Sequence, residues 1–143
     1  MKIYVLGSNS FVEKMVKTKD DLCALGHQGW IHPDYEAHVR GEKRGFPEND
    51  DPEENAKCKK DNDYIRQHYQ HILDSDAVII VNLEKRGVNN YIGGNCLMEM
   101  GQAYVNNKRI FLLNGLPSEV SYLEEIKAME PVCLNGDLTK ICN

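Results

Sequence analysis

The chain has 143 residues, of which 41% are hydrophobic and 27% are charged, and this length and composition predict one globular domain over residues 1–143. Its formal net charge of −5 argues against binding a nucleic-acid polymer, whose phosphates require clustered basic residues. No apolar run approaches the ~18 residues that indicate a membrane span, and the N-terminus lacks a signal-peptide pattern.

The first half of the chain predicts two strands and two helices. Residues 2–6 form a buried strand pattern, and a helical pattern over 11–25 follows it and stops at Gly26. A short strand is expected at Trp30 and Ile31, where Pro33 breaks the pattern. Residues 40–60 include 12 charged residues among 21, and we expect an exposed loop that runs into a helix from about Pro52 to residue 74.

The second half predicts a parallel sheet. Residues 77–81 and 110–113 are continuous apolar runs, typical of strands buried on both faces. Helices are expected over 95–106 and 118–129, with a last short strand over 132–134. Because strands and helices alternate, the chain predicts an α/β fold with helices on both faces of the sheet. Ligands bind such folds beyond the carboxyl ends of the strands, here the loops 7–10, 82–94 and the segment after Asn114.

The loop Gly7-Ser8-Asn9-Ser10 is the first candidate binding segment. Its small residues would let backbone N–H groups approach an anion at a helix N-terminus. It matches neither the dinucleotide-binding nor the P-loop motif. A simple helix N-cap formed by Ser8 or Ser10 is an equally open interpretation.

Glu99 is the single charged residue in the stretch 88–106. A lone carboxylate one turn into a helix at the ligand edge is a candidate nucleophile or base. The alternative is a solvated helix face, because polar residues share one stripe of this helix. That stripe consists of Asn95, Glu99, Gln102 and Asn106.

Histidines and cysteines give weaker indications. His68 and His71, on the helix before the third strand, are candidate acid–base groups near neutral pH or partly exposed helix residues. His32 and His38 fit no standard metal spacing, so no metal site is predicted. The five cysteines are odd in number without a C-x-x-C pair, so we expect reduced thiols and a cytoplasmic location.

Three segments together resemble the nucleoside 2-deoxyribosyltransferase family, most closely its short relatives. They are Asp-Ser-Asp-Ala-Val at 74–78, Leu-Met-Glu-Met-Gly-Gln-Ala at 97–103, and Lys-Arg-Ile-Phe-Leu-Leu-Asn at 108–114. The resemblance covers most of the chain and is weakest between residues 26 and 62. It implies a flavodoxin-like (Rossmann-like) three-layer sandwich with a five-stranded parallel sheet.

The resemblance also implies an enzyme. The expected reaction is cleavage or transfer at the N-glycosidic bond of 2′-deoxynucleosides or their 5′-monophosphates, through a covalent deoxyribosyl-enzyme. In the family the glutamate of the Glu-x-Gly-x-Ala motif attacks C1′ of the sugar, and that position is Glu99. This is the logic of a retaining glycosidase, which needs no metal or cofactor. Family members often form homo-oligomers that complete each other's pockets, so a homo-oligomer is expected, with Asn114 or the region near Tyr122 in that role.

Two positions depart from the family's pattern. Six residues before Glu99, where the family has an acid or a serine, this chain has Gly93. Where many members have a base-contacting Asp, it has His68, which we expect to protonate the leaving base, with Asp63 as the spare donor. The expected substrate-binding residues are Gly7, Ser8, Asn82, Tyr91, Gly93, Gly94, Asn95 and Asn114, with Tyr4 as a further candidate.

Two other functions stay open on the sequence. One is a non-catalytic module that binds and senses a nucleotide on the same fold. The other, an FMN protein, is disfavoured because the first loop lacks a run of Ser and Thr for the phosphate. Because the chain is acidic, any bound phosphate is expected to be held by helix N-termini and backbone amides.

Overall fold

A computed structural model describes residues 1–43 and 51–142, and a parallel five-stranded sheet lies at its centre. The strands are β1 (Lys2–Gly7), β2 (Gln28–Trp30), β3 (Ala77–Val81), β4 (Arg109–Leu112) and β5 (Val132–Cys133). Their order in the sheet is β2-β1-β3-β4-β5. This order, with helices on both faces, is consistent with a flavodoxin-like three-layer α/β fold and confirms the predicted fold class.

The described helices are α1 (Val12–Ala24), α2 (Pro33–Val39), α3 (Pro52–Asp61), α4 (Tyr64–Leu73), α5 (Gly94–Val105) and α6 (Leu123–Ala128). Single turns of 3-10 helix lie at Asn9–Phe11 and Leu138–Lys140. α1 packs on one face of the sheet, and α4, α5 and α6 contribute to the core on the other. None of the helices in the described ranges is both long and apolar enough to cross a membrane.

β1 shows why the strands have apolar residues at successive positions. Ile3 and Val5 belong to the core cluster under α1, whereas Tyr4 and Leu6 belong to the cluster under α4 and α5. Successive strand side chains point to opposite faces, and here both faces are covered. Tyr4, which is fully buried, is therefore directed towards the helix that carries His68.

The sequence did not predict α2. Pro33 begins this helix instead of only breaking a pattern, because proline needs no N–H partner in the first turn. The ring of His32 caps it by accepting a hydrogen bond from the backbone N–H of Asp34. β2 covers residues 28–30, slightly before its predicted position.

The predicted long helix from Pro52 is two helices. α3 and α4 are separated at Asn62 and Asp63, and Asp63 has a left-handed backbone with φ of 50°. No residue of α3 is buried, so this helix lies on the surface. The last helix, α6, is shorter than the predicted 118–129. The expected charged loop falls partly on residues 44–50, which lie outside the described residues.

Candidate active site

A cavity of about 500 Å³ opens at the carboxyl ends of β1 and β3. These two strands are neighbours in the sheet, although β2 follows β1 along the chain on the other side. Such a topological switch point leaves a crevice between two diverging loops. Residues 7–10 form one wall, the segment after β3 together with α5 forms the opposite wall, and α3 and α4 complete it.

The 7–10 loop forms the N-cap that the sequence allowed and lines the cavity, whereas anion binding by its backbone amides stays a prediction. The Ser8 hydroxyl caps the following turn by accepting from the Ser10 amide at 3.4 Å, and it also lines the cavity. Gly7 has a packing requirement of its own. A Cβ there would lie 2.9 Å from Met15 Sδ and 3.1 Å from the Val81 carbonyl oxygen. The glycine therefore allows α1 and β3 to approach the start of the loop.

Lysines on the cavity wall are a feature that sequence reasoning missed. Lys85 donates a hydrogen bond to Ser8 Oγ at 2.9 Å, and Lys59 of α3 donates to Asn95 Oδ1 at 3.0 Å. Neither lysine forms an ion pair with an acid of residues 1–43 or 51–142. The sequence predicts that backbone amides hold any bound phosphate, and three cationic side chains, Lys59, Lys85 and Arg86, also line this cavity.

A tight turn directs Lys85 towards Ser8. Lys85 and Val88 exchange backbone hydrogen bonds of 3.0 and 3.1 Å around the two residues Arg86 and Gly87. Both turn residues have positive φ, 53° and 79°, as a type I′ turn requires. Its signal in the sequence was weak because Arg, unlike Asn or Gly, rarely adopts this conformation.

Glu99 lies on the buried face of α5. Glu99 is only 7% exposed, whereas Asn95, one turn earlier on the same helix, is exposed. The solvated-face interpretation of this residue is therefore wrong. Burial raises the pKa of the Glu99 carboxyl well above its ordinary range, and the charge of Lys59 opposes that rise.

His68 contacts Glu99 directly. His68 is 8% exposed, and its Nδ1 lies 3.3 Å from Glu99 Oε1 and 2.9 Å from the Tyr4 hydroxyl. Burial lowers the pKa of the His68 ring, and His32 and His71 lower it further. Because the pKa of the acid is raised and that of the imidazole is lowered, burial favours the uncharged forms of both Glu99 and His68.

Aromatic side chains form the wall beside His68. The ring of His32 stacks on His68 at 5.2 Å with an interplanar angle of 20°. Tyr35 and Tyr64 also line the cavity. The hydroxyl of Tyr35 donates to Asn9 Oδ1 at 3.0 Å and so connects this wall to the first loop. The sequence missed the part of His32 and Tyr35 in this wall because they come from the region of the unpredicted α2, whereas Tyr64 begins α4.

The described residues around His32 do not form a group of side chains that could bind a metal ion. His32 Nε2 lies 2.7 Å from Gln67 Oε1, and Asp34 pairs with Lys43 and accepts from the Tyr64 hydroxyl. Across the described ranges, no three His, Cys, Asp or Glu side chains are grouped so as to hold a metal ion.

Two of the expected substrate-binding residues do not line the cavity. Asn82 is fully buried. Its Nδ2 donates a hydrogen bond to the Gly115 carbonyl oxygen at 2.8 Å, and its Oδ1 accepts one from the backbone N–H of Asn114 at 2.9 Å. Asn114 Nδ2 donates back to the Asn82 carbonyl oxygen at 3.0 Å. Tyr122 likewise donates to the carbonyl oxygen of Ile92. These side chains fix the loops after β3 and β4 instead of facing the cavity.

The remaining expected residues lie together at the start of α5. Tyr91, Gly93, Gly94 and Asn95 line the cavity, and Gly93 is the N-cap of α5 without a side-chain capping bond. A Cβ on Gly93 would lie 3.1 Å from the Tyr91 hydroxyl oxygen. The ring of Tyr91 therefore occupies the space that a side chain at position 93 would need.

Comparison of the chain with protein-family models, with curated proteins and with solved structures found no match. The fold is therefore established by its strand order alone. The function has to be inferred from the chemistry of the cavity and from the sequence resemblance.

Proposed function

We propose that this protein cleaves the N-glycosidic bond of 2′-deoxynucleosides or their 5′-monophosphates, with Glu99 as nucleophile and His68 as acid and base. One observation carries the proposal. A buried carboxylate and an imidazole stand 3.3 Å apart in the wall of a cavity at the switch point of the sheet. A retaining glycosidase requires this combination of a nucleophile with an acid–base group.

In the first half of the reaction, one oxygen of Glu99 attacks C1′ of the sugar. The C1′–N bond breaks, and its electron pair passes to the nitrogen of the leaving base, which takes a proton from His68. The carboxylate also stabilises the positive charge that develops on the sugar ring before the ester forms. The step requires an ionised Glu99 and a protonated His68, since the carboxylate is the nucleophile and the imidazolium is the acid.

The second half reverses these roles. A water oxygen, or the nitrogen of a second base, attacks C1′, and the bond between C1′ and Glu99 breaks with its electron pair returning to the carboxylate. His68 accepts the proton that the attacking group loses. Water gives hydrolysis and a second base gives transfer, so the competition between the two nucleophiles decides the net activity.

The charges on the cavity wall support a substrate with a 5′-phosphate. Lys85 has donor capacity beyond its bond to Ser8, and it has no acid partner within the described part of the chain. Ser8 accepts from both Lys85 and Ser10, which leaves its hydroxyl proton available for an anion. The stacked ring of His32, with Tyr35 and Tyr64, supplies flat surfaces that suit a nucleobase.

A base-release assay tests the proposal. Wild-type protein is incubated with each 2′-deoxynucleoside and each 5′-monophosphate, and free base is measured by chromatography. We expect release by the wild type, none by Glu99→Ala, and unchanged release by Glu125→Ala, a matched substitution of an exposed glutamate on α6. Equal turnover by the Glu99→Ala and wild-type proteins would exclude Glu99 as the nucleophile.

The second candidate function is a nucleotide sensor. The burial of Glu99 favours it, because burial raises the pKa of the carboxyl and a protonated carboxyl is not a nucleophile. A thermal-shift screen with the same compounds separates the two candidates: stabilisation by a nucleotide without base release supports the sensor. Sedimentation of the same sample tests the separate proposal that the chain forms a homo-oligomer.

A further inference from the structure

The hydroxyl of Tyr4 joins two histidines of α4. It lies 2.9 Å from His68 Nδ1 and 3.1 Å from His71 Nδ1. Tyr4 is fully buried, and burial raises the pKa of its phenol, so the hydroxyl keeps its proton. A single hydroxyl proton can be donated to only one of the two rings. The other ring must then donate its own Nδ1 proton to the tyrosine oxygen.

Glu99 decides which of the two arrangements the geometry favours. If Nδ1 of His68 were bare, its single lone pair would face two donors, the Tyr4 hydroxyl and a protonated Glu99. If Nδ1 carries a proton, that proton is shared between two acceptor oxygens, at 2.9 Å on Tyr4 and 3.3 Å on Glu99. Three-centre bonds of this second kind are common in proteins, so the contacts fit a protonated Nδ1.

We propose that His71 is a positioning residue: by accepting the Tyr4 hydroxyl proton on a bare Nδ1, it makes His68 hold its own proton on Nδ1, towards Glu99. The other nitrogen of the His68 ring, Nε2, then becomes the atom that gives and takes the reacting proton. No atom of His71 needs to touch the substrate. The inference rests on the proposed function for its catalytic consequence, but the coupling of the two rings stands on the hydrogen bonds alone.

The charged and titratable neighbours of this network come from several elements. Around His71 they are Lys2 of β1, Asp74 at the end of α4, and His32. Around His68 they are His32, Asp34, Tyr35, Tyr64 and Glu99. None of these groups shares the Tyr4 hydroxyl in a hydrogen bond. A substitution at His71 therefore reaches His68 through Tyr4.

Nitrogen NMR of the imidazole rings tests the coupling without any substrate. In the wild type we expect opposite tautomers, with the proton on Nδ1 in His68 and on Nε2 in His71. In His71→Leu, Tyr4 has no second acceptor and donates to His68, so the His68 proton should move to Nε2. His71→Asn, whose side-chain oxygen can accept at the position of Nδ1, should restore the wild-type tautomer. The same tautomer on both rings, or a His68 spectrum unaffected by His71→Leu, would overturn the proposal.

Kinetics test the catalytic consequence separately. His71→Leu should lower kcat for base release about tenfold with little change in KM, since it removes one supporting hydrogen bond and no substrate contact. The pH above which Glu99 is ionised should rise, and His71→Asn should recover most of kcat. If tautomers change as expected but no variant, including the wild type, releases base, then the glycosidase proposal fails while the coupling holds. If base is released but kcat does not respond to His71→Leu, the positioning role fails while the glycosidase proposal holds.

Discussion

Replacing Glu99 with Gln should stabilise the protein in a way that depends on pH. The carboxyl is 7% exposed, and burial raises its pKa from an ordinary 4.5 to about 8. A group whose pKa is raised in the folded state contributes stability that is complete below its unfolded pKa and is lost as the pH rises through the folded pKa. Glutamine has a similar shape and cannot ionise, so it does not lose that contribution.

The magnitude follows from the size of the shift. Each pKa unit corresponds to about 1.4 kcal/mol, so the rise from 4.5 to about 8 gives at most about 5 kcal/mol in favour of Glu99→Gln above pH 8. Below pH 4 the two proteins should be equally stable. His68 titrates in both proteins, so the comparison removes its contribution to first order.

Urea unfolding at pH 5, 7 and 9 measures this difference. The gain of Glu99→Gln over the wild type should grow through the series, while the exposed control Glu125→Gln should show no trend. A constant difference between Glu99→Gln and wild type across the series would refute the reasoning. It would mean that Glu99 ionises in the folded protein as easily as in the unfolded chain.

Three further substitutions test other parts of the site. Lys85→Met should raise KM for a 5′-monophosphate by about tenfold and leave KM for the nucleoside unchanged, because it removes a charge-assisted hydrogen bond to the phosphate; equal effects on both substrates would contradict a phosphate contact. Asn82→Ala should lower the free energy of unfolding by about 2–3 kcal/mol, since it leaves the Asn114 amide and a carbonyl group without their partners, and urea unfolding measures the loss. Gly7→Ala should cost about 1–3 kcal/mol by the same assay, because the added Cβ would stand 2.9 Å from Met15 Sδ; a stability equal to the wild type would show that α1 can shift to admit it.

The sheet could be predicted from the sequence because its strands carry a strong and local signal. Residues 77–81 are all buried in the structure, and their uninterrupted, β-branched apolar run is typical of a strand covered on both faces. The sequence pattern is ambiguous where one residue type is compatible with two different local structures. Pro33 ends a pattern as readily as it begins a helix, so α2 went unpredicted together with the wall that His32 and Tyr35 provide.

The site was harder to predict because its contacts join distant parts of the chain. Spacing could place Glu99 on α5, but whether that side of the helix is buried depends on the packing of α4 against it. The bond between Tyr4 and His68 spans 64 positions of sequence, and the bond between Ser8 and Lys85 spans 77. No local pattern encodes such pairs, so only the assembled fold reveals that these groups lie close together.

The acid and the cations of the cavity have a common logic in the proposed reaction. An ionised Glu99 beside the cavity would repel a phosphate dianion, whereas a protonated Glu99 leaves Lys85 and Lys59 to attract it. The carboxyl has to lose its proton only after the substrate is bound, and the Nδ1–H of His68, 3.3 Å away, then donates a hydrogen bond to the carboxylate that forms. The raised pKa of Glu99 thus favours binding, and the hydrogen bond from His68 stabilises the carboxylate that the chemical step needs. In the proposed reaction, a protein of net charge −5 binds an anion by keeping Glu99 in the cavity wall neutral until the nucleophile is needed.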